Sequence, residues 1–243
     1  MSRILAIGGT DSSGGAGLMR DVATAMQFGM TSATVVTAVT AQSSEGVYAT
    51  HFIPADIIIS QIKAVFADGR PDAIKIGMLG CEAAVIAVSD SLTGITIPIV
   101  LDPVLRSTSG SSLLSDRGVN MMKRHLLPLA TIVTPNLIEA ALLTANSEHQ
   151  TVDVIQAQAA KIKSAGANAV LIKGGHGQGN DCTDHLFEQT LHYVFTVIRK
   201  SGSRRGTGCT LATAIACGLA QGNELPKACQ MAQRFVAQWI AAV

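Results

Sequence analysis

Little in this chain is aromatic. Phe, Trp and Tyr make up 4% of its 243 residues, with one tryptophan and two tyrosines. Charge is sparse and balanced as well, at 14% charged residues and a formal net charge of +1. Arg204-Arg205 is too short a basic run for a nucleic-acid stripe. No run of about 18 apolar residues occurs, so no membrane-spanning helix is expected. The five cysteines (Cys81, Cys182, Cys209, Cys217 and Cys229) form no C-x-x-C. Their spacing fits neither a disulfide frame nor a zinc site. Cys182 and His185 make a C-x-x-H without the second pair that a site of about four ligands needs. Free thiols suit a reducing compartment. The opening MSRILAIGG is too short in apolar residues for a signal peptide, so a cytoplasmic protein is expected.

What the chain does have is apolar residues, 48% of the total. That is enough for one large core, and no break in pattern divides the chain, so residues 1–243 are read as one domain. Short apolar stretches alternate with longer amphipathic ones. Strands are expected at 3–9, 31–39, 73–77, 97–102, 131–134 and 168–175. Helices are expected at about 16–29, 54–67, 81–92, 111–126, 136–145 and 151–165. The order then changes to a hairpin over 183–198, turning at Glu188-Gln189-Thr190, and two helices at about 207–221 and 224–242. Repeated strand–helix units imply an α/β fold, a mostly parallel sheet covered by helices on both faces. Ligands of such sheets bind at the carboxyl ends of the strands. That rule directs attention to GGTDSSGGAG, IGMLG, LDPVL, TPNLIE, KGGHG and RRGTGC, each of which follows a strand.

GGTDSSGGAG (8–17) fails the phosphate-loop pattern, because Gly15-Ala16 stand where Lys and a hydroxyl residue are required. It fails the G-x-G-x-x-G pattern too. It is either an ordinary turn capped by Asp11 or a serine, or a polar connection at the ligand edge. In TPNLIEA (134–140), Asn136 and Glu139 have the spacing of a capping box. The same residues, with Asp102, offer oxygens to a hydrated Mg²⁺, which takes few protein ligands. Lys173 in KGGHG offers a cation to nucleotide phosphate or stands solvated before a loop; His176 alone says little. GTGC (206–209) opens an apolar helical run. Its first amides lack internal partners and its glycines let an anion approach. Gly206, Gly208 and Cys209 are the catalytic candidates, with the amides receiving charge that develops on a transferring phosphoryl group. A cysteine at a helix start beside cations is expected to have a depressed pKa and to accept a proton. The other reading makes Cys209 a small buried hydrophobe.

Taken together, GGTDSSGGAG, GLMRD, TAVTAQ, KIGML, VLDPVL, TPNLIEA, LIKGGH and GTGCT, in this order, resemble the hydroxymethylpyrimidine/phosphomethylpyrimidine kinases of thiamine biosynthesis. The resemblance runs from about residue 4 to 240. It implies a ribokinase-like three-layer α/β/α sandwich, Mg²⁺-dependent use of ATP, and phosphorylation of an aminopyrimidine alcohol and then of its monophosphate. It also implies a homodimer. The family's cysteine maps to Cys209 and its pyrimidine-reading glutamine to Gln42. Other substrate-pocket positions map to Gly9, Asp21, Thr40, Met78 and Leu105. The nucleotide and magnesium side maps to Asp102, Asn136, Glu139, Lys173 and Thr207. A carboxamide at Gln42 suits an exocyclic amine beside a ring nitrogen, as glutamine suits adenine. The alternatives are a pyridoxal-type kinase of the same fold and a non-catalytic aminopyrimidine-binding protein. Two positions depart from the family pattern. Arg204-Arg205 replace the usual Thr-His before GTGC, and Thr108 stands where many members have Lys. Arg204 or Arg205 is expected to supply the missing charge.

Overall fold

The computed structural model describes all residues except 1, 107–109, 111, 147–150, 176–178, 201, 203 and 243. Thr108 and His176 thus lie outside the described residues. The chain opens with β1 (Arg3–Asp11), α1 (Gly17–Gln27), β2 (Thr31–Gln42) and β3 (Val47–Phe52). It continues through α2 (Ala55–Ala67), β4 (Ala73–Ile76), α3 (Glu82–Leu92), β5 (Ile99–Leu101) and α4 (Asp116–His125). Then come β6 (Ile132–Val133), α5 (Leu137–Thr144), α6 (Val152–Ser164) and β7 (Ala169–Ile172). The hairpin β8 (Asp181–Glu188) and β9 (Leu191–Ile198) follows, and α7 (Thr207–Ala220) and α8 (Leu225–Ala241) end the chain.

All nine strands join one sheet in the order β3-β2-β1-β4-β5-β6-β7-β8-β9. Pairing is parallel from β2 to β7 and antiparallel at the two ends. Successive side chains of the central strands point to opposite faces. Leu5, Ile7, Ile74, Ile76, Ile99 and Leu101 join one core with α2 to α6. Ile4, Ala73, Val100 and Ile132 join the other with α7 and α8. Burial on both faces explains why these strands read as unbroken apolar runs.

Most elements fall within a few residues of the sequence expectation; three places differ. β3 was not expected, because VYATHF is a mostly exposed edge strand whose faces show no apolar alternation. β1 and β2 run on to Asp11 and Gln42, carrying polar residues out to the ligand edge. The helix expected from 111 starts at Asp116, where Ser115 caps it by accepting from Gly118 N–H at 3.1 Å. Along β8, Cys182 and His185 are three residues apart and so face opposite sides of the sheet, which breaks the C-x-x-H pair. His185 instead meets His192 across the hairpin, Nδ1 to Nε2 at 3.0 Å.

Candidate active site

The first turn of α7 sits at the carboxyl edge of the sheet. Its N-cap, Gly206, has φ +80°, and a Cβ there would collide with Gly15 O and approach Arg20 Cγ. Only glycine accepts both that conformation and that contact. The helix ladder begins when Thr210 N–H donates to Gly206 O at 2.8 Å. The amides of Thr207, Gly208 and Cys209 precede it and are free of intrahelical partners. A Cβ on Gly208 would lie 3.4 Å from Lys173 Nζ and 3.5 Å from Asp102 Oδ2. The lack of a side chain therefore lets the helix start approach a charged cluster directly.

That cluster is built by three separate strand ends. Asp102 follows β5, Asn136 and Glu139 open α5 after β6, and Lys173 follows β7. Lys173 Nζ donates to Asp102 Oδ1 at 2.8 Å and lies 4.0 Å from Glu139 Oε2. Burial alone would pull the Lys173 ammonium down, but Asp102 and Glu139 outweigh it and its pKa is raised. Burial pushes Glu139 up to about 7, with Lys173 opposing and Asp102 adding to the rise. The capping box of α5 is complete: Glu139 N–H donates to Asn136 Oδ1 at 2.9 Å and Asn136 N–H to Glu139 Oε2 at 2.8 Å. The side-chain oxygen of Asn136 is therefore occupied by the cap. The carboxylates of Asp102 and Glu139 are the hard oxygens that fit a magnesium ion, which needs few protein ligands. No group of three or more His, Cys, Asp or Glu able to hold a metal occurs among the described residues.

Cys209 lies on the sheet side of the same helix turn, and the Gly17 N–H reaches its sulfur. The expected depressed thiol is corrected here. Burial pushes Cys209 up to about 11, and Asp21 and Asp102 add to the rise against the opposing Lys75 and the Gly17 amide. Desolvation outweighs the helix terminus, although Cys209 keeps part of its surface accessible at the helix start.

A family model described as phosphomethylpyrimidine kinase matches residues 11–243. The chain belongs to the phosphomethylpyrimidine kinase family. It is 41% identical over 239 residues to the hydroxymethylpyrimidine/phosphomethylpyrimidine kinase of Rhizobium meliloti, covering 98% of this chain and 90% of that one. The crystal structure of phosphomethylpyrimidine kinase from Clostridium difficile 630 is similar with a TM-score of 0.87 and 34% identity, over 99% of this chain and 100% of that one. Pyridoxal kinase from Staphylococcus aureus, solved with AMP-PCP and pyridoxal, is similar with a TM-score of 0.87 and 29% identity, over 99% and 88% of the two chains. The α/β fold is thus the ribokinase-like one shared by these kinases.

In this phosphomethylpyrimidine kinase family member, the remaining site residues divide into two groups. Gly9, Thr40, Gln42 and Met78 gather beside the glycine-rich connection. The β2–β3 register shifts between Ala41 and Gln42, where β3 carries the extra residue Tyr48. Ser12 Oγ donates to Gln42 O and accepts from Gln42 N–H, both at 2.8 Å. Thr40 Oγ1 donates its proton to Thr10 O at 2.7 Å and lies 3.1 Å from Gln42 Oε1. A Cβ on Gly9 would stand 3.0 Å from Met78 Sδ, and Met78 in turn lines a recess of about 260 Å³ with Thr50, Phe52, Gly80 and residues 112–115.

Asp21 and Leu105 stand further inside. Asp21, expected to line the substrate pocket, is fully buried, and both its oxygens are taken by Lys75 and one also by Thr213. Leu105 packs in the core with α2 to α6, and its backbone N–H serves Glu139 instead. Sequence reasoning missed Lys75 and Thr213 altogether. A lysine inside a four-residue buried strand was the available signal, because a charge there needs a partner. The arginine expectation also narrows. Arg204 lies over the Trp239 ring at 4.6 Å and donates to Trp239 O at 2.8 Å. Arg205 reaches the other way, to Asp11 Oδ2 and Ser13 Oγ at 2.8 Å each. No helix among the described residues is long and apolar enough to cross a membrane.

Proposed function

We propose that this chain, acting as one kinase domain, transfers the γ-phosphoryl group of ATP to 4-amino-5-hydroxymethyl-2-methylpyrimidine and then to the resulting monophosphate. The observation that carries this reading is the meeting of free α7 amides, Cys209 and the Asp102–Glu139–Lys173 cluster around Gly208. Gln42 would read the pyrimidine edge through its carboxamide, with Met78 against the ring. Lys173 and the amides of Thr207 to Cys209 would hold the nucleotide phosphate. Asp102 and Glu139 would hold Mg²⁺, which when bound neutralises charge on phosphate oxygens. The alcohol oxygen forms a bond to the γ-phosphorus as the bond to ADP breaks. The free amides receive the charge that builds on the phosphoryl oxygens, and the hydroxyl proton passes to the Cys209 thiolate.

Positioning and charge stabilisation carry most of such a reaction, because the loose transition state asks little of a base. A thiol pushed up to about 11 is mostly protonated at neutral pH, so the base step draws on a small thiolate fraction. Turnover limited by that step rises with pH across the neutral range.

ADP release with Mg-ATP decides among the readings when the acceptor is the pyrimidine alcohol, its monophosphate, pyridoxal or ribose. Release with the first two is expected. Release with pyridoxal alone would make the chain a pyridoxal-type kinase, and binding without release would make it a non-catalytic protein. Cys209→Ala is expected to lower kcat by about 10², the low end for loss of a general base, with KM nearly unchanged; near-normal turnover removes the base role.

A further inference from the structure

Lys75 occupies an interior position of β4, the four-residue strand at the centre of the sheet. Alternation puts it, with Ala73, on the face covered by α7, where an apolar residue would be the ordinary choice. Its side chain is 1% exposed and that of its partner Asp21 is 0% exposed. Nζ donates to Asp21 Oδ1 at 2.9 Å and Oδ2 at 2.8 Å, and Thr213 Oγ1 donates to Oδ1 at 2.8 Å. Thr213 stands one helical turn after Cys209, so α7 turns both residues to the same side. A Cβ on Gly77 would lie 2.8 Å from Nζ. The ammonium thus extends along the strand into space that Gly77 leaves open, toward the edge where Cys209 sits.

A buried ion pair of this kind is a weak stabiliser, since desolvating two charges offsets their attraction and an apolar pair of similar volume serves as well. Its placement suggests another use. The charged groups that act on Cys209 are Lys75 from β4, Asp21 and Arg20 from α1, Asp102 after β5 and Lys173 after β7. Of these, Lys75 is the leading group that opposes the effect of burial on the thiol.

We propose that Lys75, fixed by Asp21 and Thr213 beneath the first turn of α7, is a positioning residue for phosphoryl transfer whose permanent positive charge favours the thiolate of Cys209. Asp21 and Thr213 serve by holding the ammonium in place, and neither touches substrate. The proposal rests on the reading of Cys209 as acceptor of the alcohol proton.

The test compares wild type with Lys75→Met and with the neutral pair Lys75→Met/Asp21→Asn. The pair avoids stranding a buried carboxylate and so guards against a variant that fails to fold. Alkylation of Cys209 by iodoacetamide at pH 8, followed on the Cys209 peptide without any substrate, is expected to slow about tenfold in Lys75→Met, as for a thiol raised by about one unit, and to slow less in the neutral pair, which also loses the Asp21 charge that raises the thiol. In ADP release, kcat is expected to fall about tenfold while KM for the pyrimidine alcohol stays within about twofold. Alkylation within about twofold of wild type in Lys75→Met, or faster than wild type in the neutral pair, overturns the proposal, whatever kcat does, because a purely structural role would not move thiol reactivity in this direction. If wild type phosphorylates no alcohol, the proposed function fails, and the substrate-free alkylation still decides the effect of Lys75 on the thiol.

Discussion

Two lysines meet carboxylates near the ligand edge of this sheet, and they do so in opposite ways. Lys75 and Asp21 form a closed pair, one ammonium against one carboxylate, with no exposed surface to speak of. Lys173 stands between two carboxylates, and its own side chain is 12% exposed. The first cluster is balanced and sealed. The second has an anion in excess and opens beside Gly208. A sealed pair can only supply a fixed field, whereas an unbalanced open cluster has capacity left for a further cation. On the function proposed here, the difference separates the part of the site that sets charge from the part that receives ligands.

The comparison breaks most clearly in unfolding experiments. Asp21→Ala leaves the Lys75 ammonium buried without its partner, which is expected to cost about 3–5 kcal/mol. Asp102→Ala leaves Lys173 near Glu139 and close to solvent, and is expected to cost about 1–2 kcal/mol. Urea denaturation of the two variants reads this directly. Equal losses would show that the clusters are not closed and open in the sense drawn above.

The second cluster also makes its own pH signature. Glu139 is raised from 4.5 to about 7 in the folded chain, mainly by burial. Between those values the folded state holds a proton that the unfolded state has released. Stability from this group is therefore full below the ordinary glutamate value and is lost as pH rises through about 7. Glu139→Gln is expected to flatten the dependence of Tm on pH over that window. Magnesium favours the ionised carboxylate, so its effect on wild-type Tm is expected to be larger at pH 7 than at pH 5. A Tm profile unchanged by Glu139→Gln would mean that Lys173 already compensates both carboxylates.

How much of this was legible before the structure follows from the kind of signal each residue leaves. The parallel core showed plainly, because strands buried on both faces spell runs such as ILAI and IVL. The ligand edge showed as well, since Gly9, Gly206 and Gly208 each mark a backbone that must come close to something. Gln42, Asp102 and Cys209 came from ordered motifs rather than from periodicity. Partners did not show. Nothing in GLMRD says that Asp21 turns inward to Lys75, 54 positions away along the chain. Nothing in GTGC says whether the helix terminus or desolvation governs the thiol, because that depends on what the fold lays over it. β3 was invisible for a simpler reason: an exposed edge strand has no buried face to imprint on its sequence.

The smallest expected effect concerns the two arginines, which carry on the contrast at the surface. Arg205 bridges Asp11 and Ser13 with its side chain 21% exposed, tying the glycine-rich connection to the start of α7. Arg204 shares the Trp239 ring with Arg20, whose guanidinium lies over it at 4.8 Å. Burial and the nearby Arg204 charge both lower the Arg20 pKa, so Arg204 brings stacking and repulsion at once. Arg204→Ala is therefore expected to cost less than about 1 kcal/mol, since the relieved repulsion offsets part of the lost cation–π contact and of the lost hydrogen bond to Trp239 O. Arg205→Ala is expected to cost about 1 kcal/mol at most, as a partly exposed ion pair does. The kinetic consequence should fall on Arg205 alone. If these arginines supply charge to the phosphate side, replacing both with Ala is expected to raise the apparent KM for ATP or the monophosphate, and Arg205→Ala should reproduce that rise while Arg204→Ala leaves KM unchanged. Equal contributions from the two would mean that Arg204 leaves Trp239 when a phosphate arrives, and the stacked arrangement would then be a resting position of the free protein.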